Sequence, residues 1–227
     1  MNLPNTLAAN TTVAFQALPY TLQNIGNPAV LSSIAGVTGG INLTASGGGT
    51  GGTNDEGGFS YQVVSGNFDV AVRLAGLGLS DVFARAGWMA REDLTAVARF
   101  AAALATPAMN GTFFTSRSSV GGASSSAGNF PANYPDTWLR LQRVGNLFTG
   151  YASYDGQVWT QLGNASITMS NRIYLGFFVG SHDTNQATTA QFRDIVNVTN
   201  AVVGTQAGPH EPLGPSSRTT PLAISEI

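Results

Sequence analysis

From Gly58 to Val198 the chain is a succession of short apolar or alternating runs broken by turn residues. They read GFSYQVV (58–64), NFDVAVRLAGL (67–77), DVFARAGWMARE (81–92), AVARFAAALA, MNGTFFTSR (109–117), TWLRLQRV (137–144), NLFTGYASY (146–154), QVWTQLG (157–163), RIYLGFFVG (172–180) and TTAQFRDIVNV (188–198). Strand-length runs at such regular intervals are the pattern of an all-β sandwich or jelly roll. The alternation is cleanest in NFDVAVRL, where Phe68, Val70, Val72 and Leu74 share one face while Asp69, Ala71 and Arg73 share the other. AVARFAAALA is the exception, since alanine is the best helix former. Its neighbours need a partner at this place, so it is expected to be a strand. Gly145-Asn146 and Asp155-Gly156 are hairpin turns, built from residues that tolerate positive φ.

The length of 227 residues suits one large β domain or two small ones. Residues 1–10 read as a lead-in, and TTVAFQA (11–17) as a strand opening a sandwich over 11–200. A glycine-rich stretch over 36–58 holds the short run INLTAS (41–46) and the low-complexity segment GGGTGGTNDEGG (47–58), a loop or tight crossing. SSVGGASSSAGNFPANYP (118–135) is expected to be a long Ser/Gly loop. Residues 201–227 read as a linker rich in Pro, Gly, Ser and Thr and the start of a following domain.

Charged residues make up only 10% of the chain and hydrophobic ones 43%. The surface is therefore made by Ser, Thr, Asn, Gln and Gly, which favours turn-rich β structure over helices. All ten basic residues are arginines, and the net charge is −2 with no basic run. Nucleic-acid binding through phosphate neutralisation is not expected, nor is a polybasic membrane anchor. No run of 18 apolar residues occurs, so no membrane insertion is expected. With no cysteine there is neither a disulfide framework nor a thiolate metal site. MNLPNTLAAN has no basic or apolar signal region, so an export signal would lie outside this chain.

An ordered set of segments resembles a bacterial family of concanavalin-like jelly rolls that bears the label "regulation of enolase". GTNDEGGFSYQVVSGNFDVAVRL (52–74) is similar to the family's opening segment. AGWMARE (86–92) resembles its Ala-Gly-Leu-Met-x-Arg-Asp segment, with Trp88 where leucine is usual, and TSRSSVGG (115–122) its Arg-Ser-x-x-Gly-Gly turn. WLRLQRVGNLFTGYASYDGQVWTQLG (138–163) matches most strongly, followed by IYLGFFVGSH (173–182) and AQFRDI (190–195). The closing AISEI (223–227) is similar to the opening strand of lamin-tail-like domains. The resemblance implies a two-sheet antiparallel jelly-roll sandwich of the concanavalin A-like lectin/glucanase type. It also implies a secreted or cell-surface accessory domain, related in architecture to lectins, laminin-G-like modules and glycosidases. Fold does not choose among these.

The residues themselves narrow the chemistry. A retaining glycosidase needs two carboxylates on one sheet face, which relatives of this architecture place as Glu-x-Asp-x-x-Glu. That run is absent, and the acidic clusters Asp55-Glu56 and Glu92-Asp93 read as turn residues. No Gly-x-Ser-x-Gly elbow occurs. The histidines, His182 and His210, are badly placed for a shared metal site, and His182 either touches a ligand or caps a strand end. Asn54, Asp55 and Glu56 offer hard oxygen ligands for a structural calcium ion, and Asp183 with Asn185 forms a second such cluster, neither with EF-hand spacing. No other cofactor is expected. For sugar recognition Trp88 is the candidate platform, because Ala86 and Ala90 on its face leave the ring room to be seen. Arg91, Arg117, Arg140, Tyr151 and His182 are its candidate polar companions. The alternative is that Arg91 and Arg117 pair with acids inside the sheet framework. Trp138 and Trp159 are expected in the core. The leading expectation is a non-catalytic adhesion module for carbohydrate or cell-surface glycan. A structural spacer or self-associating surface subunit comes second, and a glycoside hydrolase third.

Overall fold

The structure, a computed structural model, describes residues 20–107, 110–198 and 201–204. The lead-in over 1–10, the strand expected over 11–17, His210 and the run from 205 to 227 lie outside the described residues. Among the described residues there is no helix, and hence none long and apolar enough to cross a membrane. The strands are β1 (Thr21–Ile25), β2 (Ser33–Val37), β3 (Gly40–Ala45), β4 (Gly57–Ser65), β5 (Phe68–Leu77), β6 (Arg85–Arg91), β7 (Phe100–Ala105) and β8 (Thr112–Arg117). They continue with β9 (Ser125–Phe130), β10 (Thr137–Val144), β11 (Leu147–Ser153), β12 (Val158–Ser166), β13 (Arg172–Gly180), β14 (Thr188–Asn197) and β15 (Val202–Val203).

They form two packed sheets, one in the order β1-β4-β13-β6-β7-β8-β9 and the other β15-β12-β11-β10-β5-β14-β3-β2. This is a jelly-roll sandwich. The pairing is antiparallel except at the two-residue β15, which runs parallel to β12. The expected alternation in β5 sets the core: Val70, Val72 and Leu74 are buried between the sheets with Leu139, Leu141, Phe148 and Phe192. A burial of this kind contributes about 1.5–3 kcal/mol per large aliphatic or aromatic side chain.

The alanine-rich run is a strand, β7, and all six of its residues are buried. Tertiary context overrides helix propensity here. Both faces of β7 are covered, and its small residues sit beside large ones on β6, Ala103 opposite Trp88 and Ala102 opposite Met89. At the sheet-to-sheet contact, Gly150 lets the Phe114 ring come close, since a Cβ there would lie 2.7 Å from Phe114 Cδ2.

Four strands depart from expectation, one of them β15, which pairs with β12 inside the 201–227 run read as a linker. β9 lies inside what reads as a loop over 118–135; its Ser/Ala/Gly/Asn positions are exposed, so it carries no apolar signal. β1 and β2 are likewise short flanking strands, paired to β4 and β3. DVFARAGWMARE becomes regular only from Arg85, because Ala84 N donates to Asp81 O in a turn.

Candidate functional site

Arg91 ends β6 and Arg117 ends β8, both on the outer face of the seven-stranded sheet, and both are fully buried. Asp55 lies between them. Its Oδ2 accepts from Arg91 Nη1 at 2.6 Å and from Arg117 Nη1 at 2.8 Å, and its Oδ1 accepts from Arg117 Nη2 at 2.7 Å. The other contacts are to backbone carbonyls, apart from Arg91 Nη1 with Met89 Sδ at 3.4 Å. Arg91 reaches the carbonyls of Thr95 at 2.6 Å and Asp93 at 3.3 Å. Arg117 reaches those of Gly122 at 2.8 Å, Gly52 at 2.9 Å, and Ala96 and Ala98 at 3.2 Å each. Five donors on a planar fork allow one arginine to knit several loops. The loops over 47–56, 92–99 and 118–124 are thus drawn onto the sheet by one charged node. Burial pulls the Arg91 pKa down, and the Asp55 carboxylate opposes that shift.

Above this node lies an open groove of about 660 Å³. Its walls are glycine backbone (Gly26, Gly48, Gly49, Gly51 and Gly52), with side chains from Asn27, Asn54, Glu56 and His182. The crossing is held by reciprocal backbone bonds between Gly49 and Glu56 at 2.9 Å, and Glu56 Oε2 accepts from Gly48 N at 2.9 Å. Glycine is required at position 47, where φ is +119° and a Cβ would lie 2.6 Å from the Glu56 carbonyl oxygen.

His182 follows β13 with φ of +60°, and its N–H donates to Gly47 O at 2.9 Å. Its Nδ1 lies 3.0 Å from Asp81 Oδ1. That contact orients the imidazole and leaves Nε2 for a ligand. The His182 ring centroid is 5.3 Å from that of Phe83, which is 46% exposed beside the groove. The arrangement offers amide, carboxylate, imidazole and backbone groups to a hydrogen-bonding ligand.

The structure redistributes the residues expected to act together. Trp88 is corrected from exposed platform to core residue: it is 2% exposed, and its ring centroid lies 4.3 Å from that of Phe177. Ala86, Trp88 and Ala90 do share a face, but it is the inner one, so the small flanks make room for the indole between the sheets. Arg91 and Arg117 are corrected from ligand contacts to buried partners of Asp55.

Arg140 and Tyr151 do meet, on the outer face of the eight-stranded sheet and away from the groove. Arg140 donates to both Asp69 oxygens at 2.6 Å and lies 4.6 Å from the Tyr151 ring centroid. Trp159 is buried there too, with Trp138 packed beside it; neither lies in the inter-sheet core. Of the six ligand candidates, His182 is the one that lines the groove.

Asn54, Asp55 and Glu56 all line the groove but do not assemble as calcium ligands. Asp55 already faces two guanidinium groups, which repel a cation, and Glu56 holds Gly48 N. Among the described residues no three His, Asp or Glu side chains cluster to hold a metal. Asp183 Oδ1 caps the turn at Asn185 N, at 2.8 Å. Asn27 lines the groove and Phe83 stands against His182 at its side, and the sequence marked neither; the glycine tract is the signal that locates the groove.

No family model matches the chain, and no curated protein matches it. Solved structures do. The chain is similar to a functionally unknown protein from Saccharomyces cerevisiae, with TM-score 0.63 and 17% identity over 80% of this chain and 96% of that one. It is similar to the carbohydrate-binding module CBM66 from Bacillus subtilis, with TM-score 0.51 and 16% identity over 78% and 95% of the two chains. A Bacillus licheniformis beta-glucanase is a further neighbour, with TM-score 0.50 and 14% identity over 82% and 95%. At these identities the likeness establishes the jelly-roll fold.

Proposed function

We propose that this domain is a non-catalytic carbohydrate-binding module of a larger exported bacterial protein, and that it takes glycan in the groove above Asp55. The observation that carries the reading is the groove's chemistry. Asn27, Asn54, Glu56 and His182 line, with glycine backbone, an open cleft of about 660 Å³. Sugar hydroxyls both donate and accept, and side-chain amides, a carboxylate and an imidazole match them. The exposed Phe83 ring beside His182 adds an apolar surface for the C–H face of a sugar. The non-catalytic part rests on Asp55. A retaining glycosidase needs two free carboxylates, and of the two acids at this groove Asp55 is 1% exposed with both oxygens on arginines. The similarity of fold to a carbohydrate-binding module supports the reading without deciding it.

The test is a glycan array with the isolated chain, followed by calorimetric titration of any hit. Expected is millimolar or tighter binding to at least one glycan, at least tenfold weaker in Asn54→Ala and Asn27→Ala, with no release of reducing ends. A blank array at millimolar sugar would sink the reading, and so would sugar hydrolysis.

A second reading, self-association, has its own observation. The edge strand β2 carries no charge, and Val30, Leu31 and Val37 beside it or on it are exposed, Leu31 at 72%. Uncharged open edges pair readily with another chain. Sedimentation analysis across concentration distinguishes this reading, which requires a dimer or larger species that Leu31→Glu dissolves.

A further inference from the structure

Among the described residues four arginines are buried, Arg91, Arg117, Arg140 and Arg143, and the first three each meet a carboxylate. Arg143 does not. It is 4% exposed, with its guanidinium 5.2 Å from the Phe148 ring centroid. Its Nε donates to Gly145 O at 2.9 Å, and its Nη2 to Ser170 O at 3.0 Å and Met169 O at 3.3 Å. Nη1 reaches only Asn171 O, at 3.5 Å, the outer limit of a hydrogen bond. Carbonyls satisfy donors but bring no counter-charge, and an unmatched buried charge is costly. Burial accordingly pulls the Arg143 pKa down.

A pocket of about 230 Å³ opens over this guanidinium. Asn67, Asn146 and Asn171, all exposed, are among its lining residues, and no acidic residue lines it. Asn67 Oδ1 accepts from Gly145 N at 2.8 Å, which leaves that amide's NH₂ as a donor. Glu92 binds Ser170 N nearby, but its other oxygen is held by Arg99 Nε at 2.5 Å. The pocket shares no lining residue with the groove above Asp55.

We propose that this pocket is a second binding site, which takes a small oxyanion: the carboxylate of an acidic sugar or a free sulfate. Arg143 Nη1 supplies a charge-assisted bond at the floor and the asparagine amides close on the remaining oxygens. Gly66 and Gly145 line the pocket with backbone alone. The inference stands whether or not the groove binds glycan.

The test is an amide NMR titration with sodium galacturonate, sodium sulfate and neutral galactose, at constant ionic strength. Expected are saturable shifts at Gly66, Asn67, Gly145 and Asn146 with galacturonate, sulfate or both, and none there with galactose. Saturation by galacturonate alone assigns the sugar acid, and saturation by sulfate assigns the free oxyanion. Arg143→Gln could disturb folding, so the variant is Asn171→Asp, which places a carboxylate beside Arg143 and leaves the backbone intact. It is expected to weaken oxyanion binding at least tenfold. Absence of saturable shifts, equal shifts with galactose, or unchanged affinity in Asn171→Asp would each overturn the proposal.

Discussion

The Asp55 carboxylate meets the Arg117 guanidinium fork to fork, Oδ1 to Nη2 at 2.7 Å and Oδ2 to Nη1 at 2.8 Å. The pair joins residues 62 positions apart, and Arg91 makes a second contact across 36. Removing the acid strands two fully buried cations. Asp55→Ala is therefore expected to cost about 3–5 kcal/mol, the range for breaking a buried ion pair. Urea denaturation measures it, and high salt is expected to leave the wild-type midpoint nearly unchanged, because a buried pair is weakly screened. A cost below about 1 kcal/mol, the value of a surface pair, would contradict the burial.

Trp88 gives the opposite kind of variant, one that costs stability and spares binding. Its indole fills space between the sheets against Phe177. Trp88→Leu leaves a cavity and is expected to cost about 2–4 kcal/mol in urea denaturation. Glycan affinity is expected to stay within twofold of wild type. A large loss of affinity at unchanged stability would return Trp88 to the role of exposed platform.

The contrast between these two residues marks what the sequence could reveal. The strands over 137–144 and 172–180 match their sequence limits because each is bounded by turn residues and filled with apolar ones. The face shared by Ala86, Trp88 and Ala90 was legible from period two alone. Whether that face looks inward was not, because both sides of β6 are covered and a one-residue slip exchanges them. The partners of Arg91 and Arg117 were equally hidden: Asp55 comes to them through tertiary packing of a glycine loop. Arg140 and Tyr151 meet across the β10–β11 register, which the Gly145-Asn146 turn implied. β9 left no trace, since an exposed edge strand of Ser, Ala, Gly and Asn has no core face to encode.

His182 separates binding from folding. Its Nδ1 is held by Asp81 and its ring is 39% exposed at the groove. His182→Asn keeps a residue type that accepts φ of +60°, yet removes the imidazole. It is expected to weaken binding of the array-selected glycan at least fivefold while moving the thermal midpoint by only a few degrees. Wild-type affinity in this variant would exclude His182 from the site.

The last prediction follows from the absence of lysine and cysteine, which leaves tyrosine as the side chain whose ordinary pKa lies between about pH 9 and 12. Burial pushes the Tyr20 pKa up to about 12 and raises those of Tyr134 and Tyr154 as well. Tyr134 also donates to Thr106 O at 2.7 Å. Above the usual tyrosine pKa of about 10 the unfolded chain releases these protons while the folded chain keeps them. The contribution is thus complete below about pH 10 and is lost as pH rises toward about 12. Urea midpoints are expected to be level from pH 7 to 9 and to fall between pH 10 and 11.5. Absorbance at 295 nm should show part of the tyrosine signal appearing only as the chain unfolds. Tyr134→Phe removes one of the linked protons, so its midpoint should start lower through the lost hydrogen bond and decline less steeply with pH. Equal midpoints at pH 9 and 11.5 in the wild type would mean that these phenols are open to solvent.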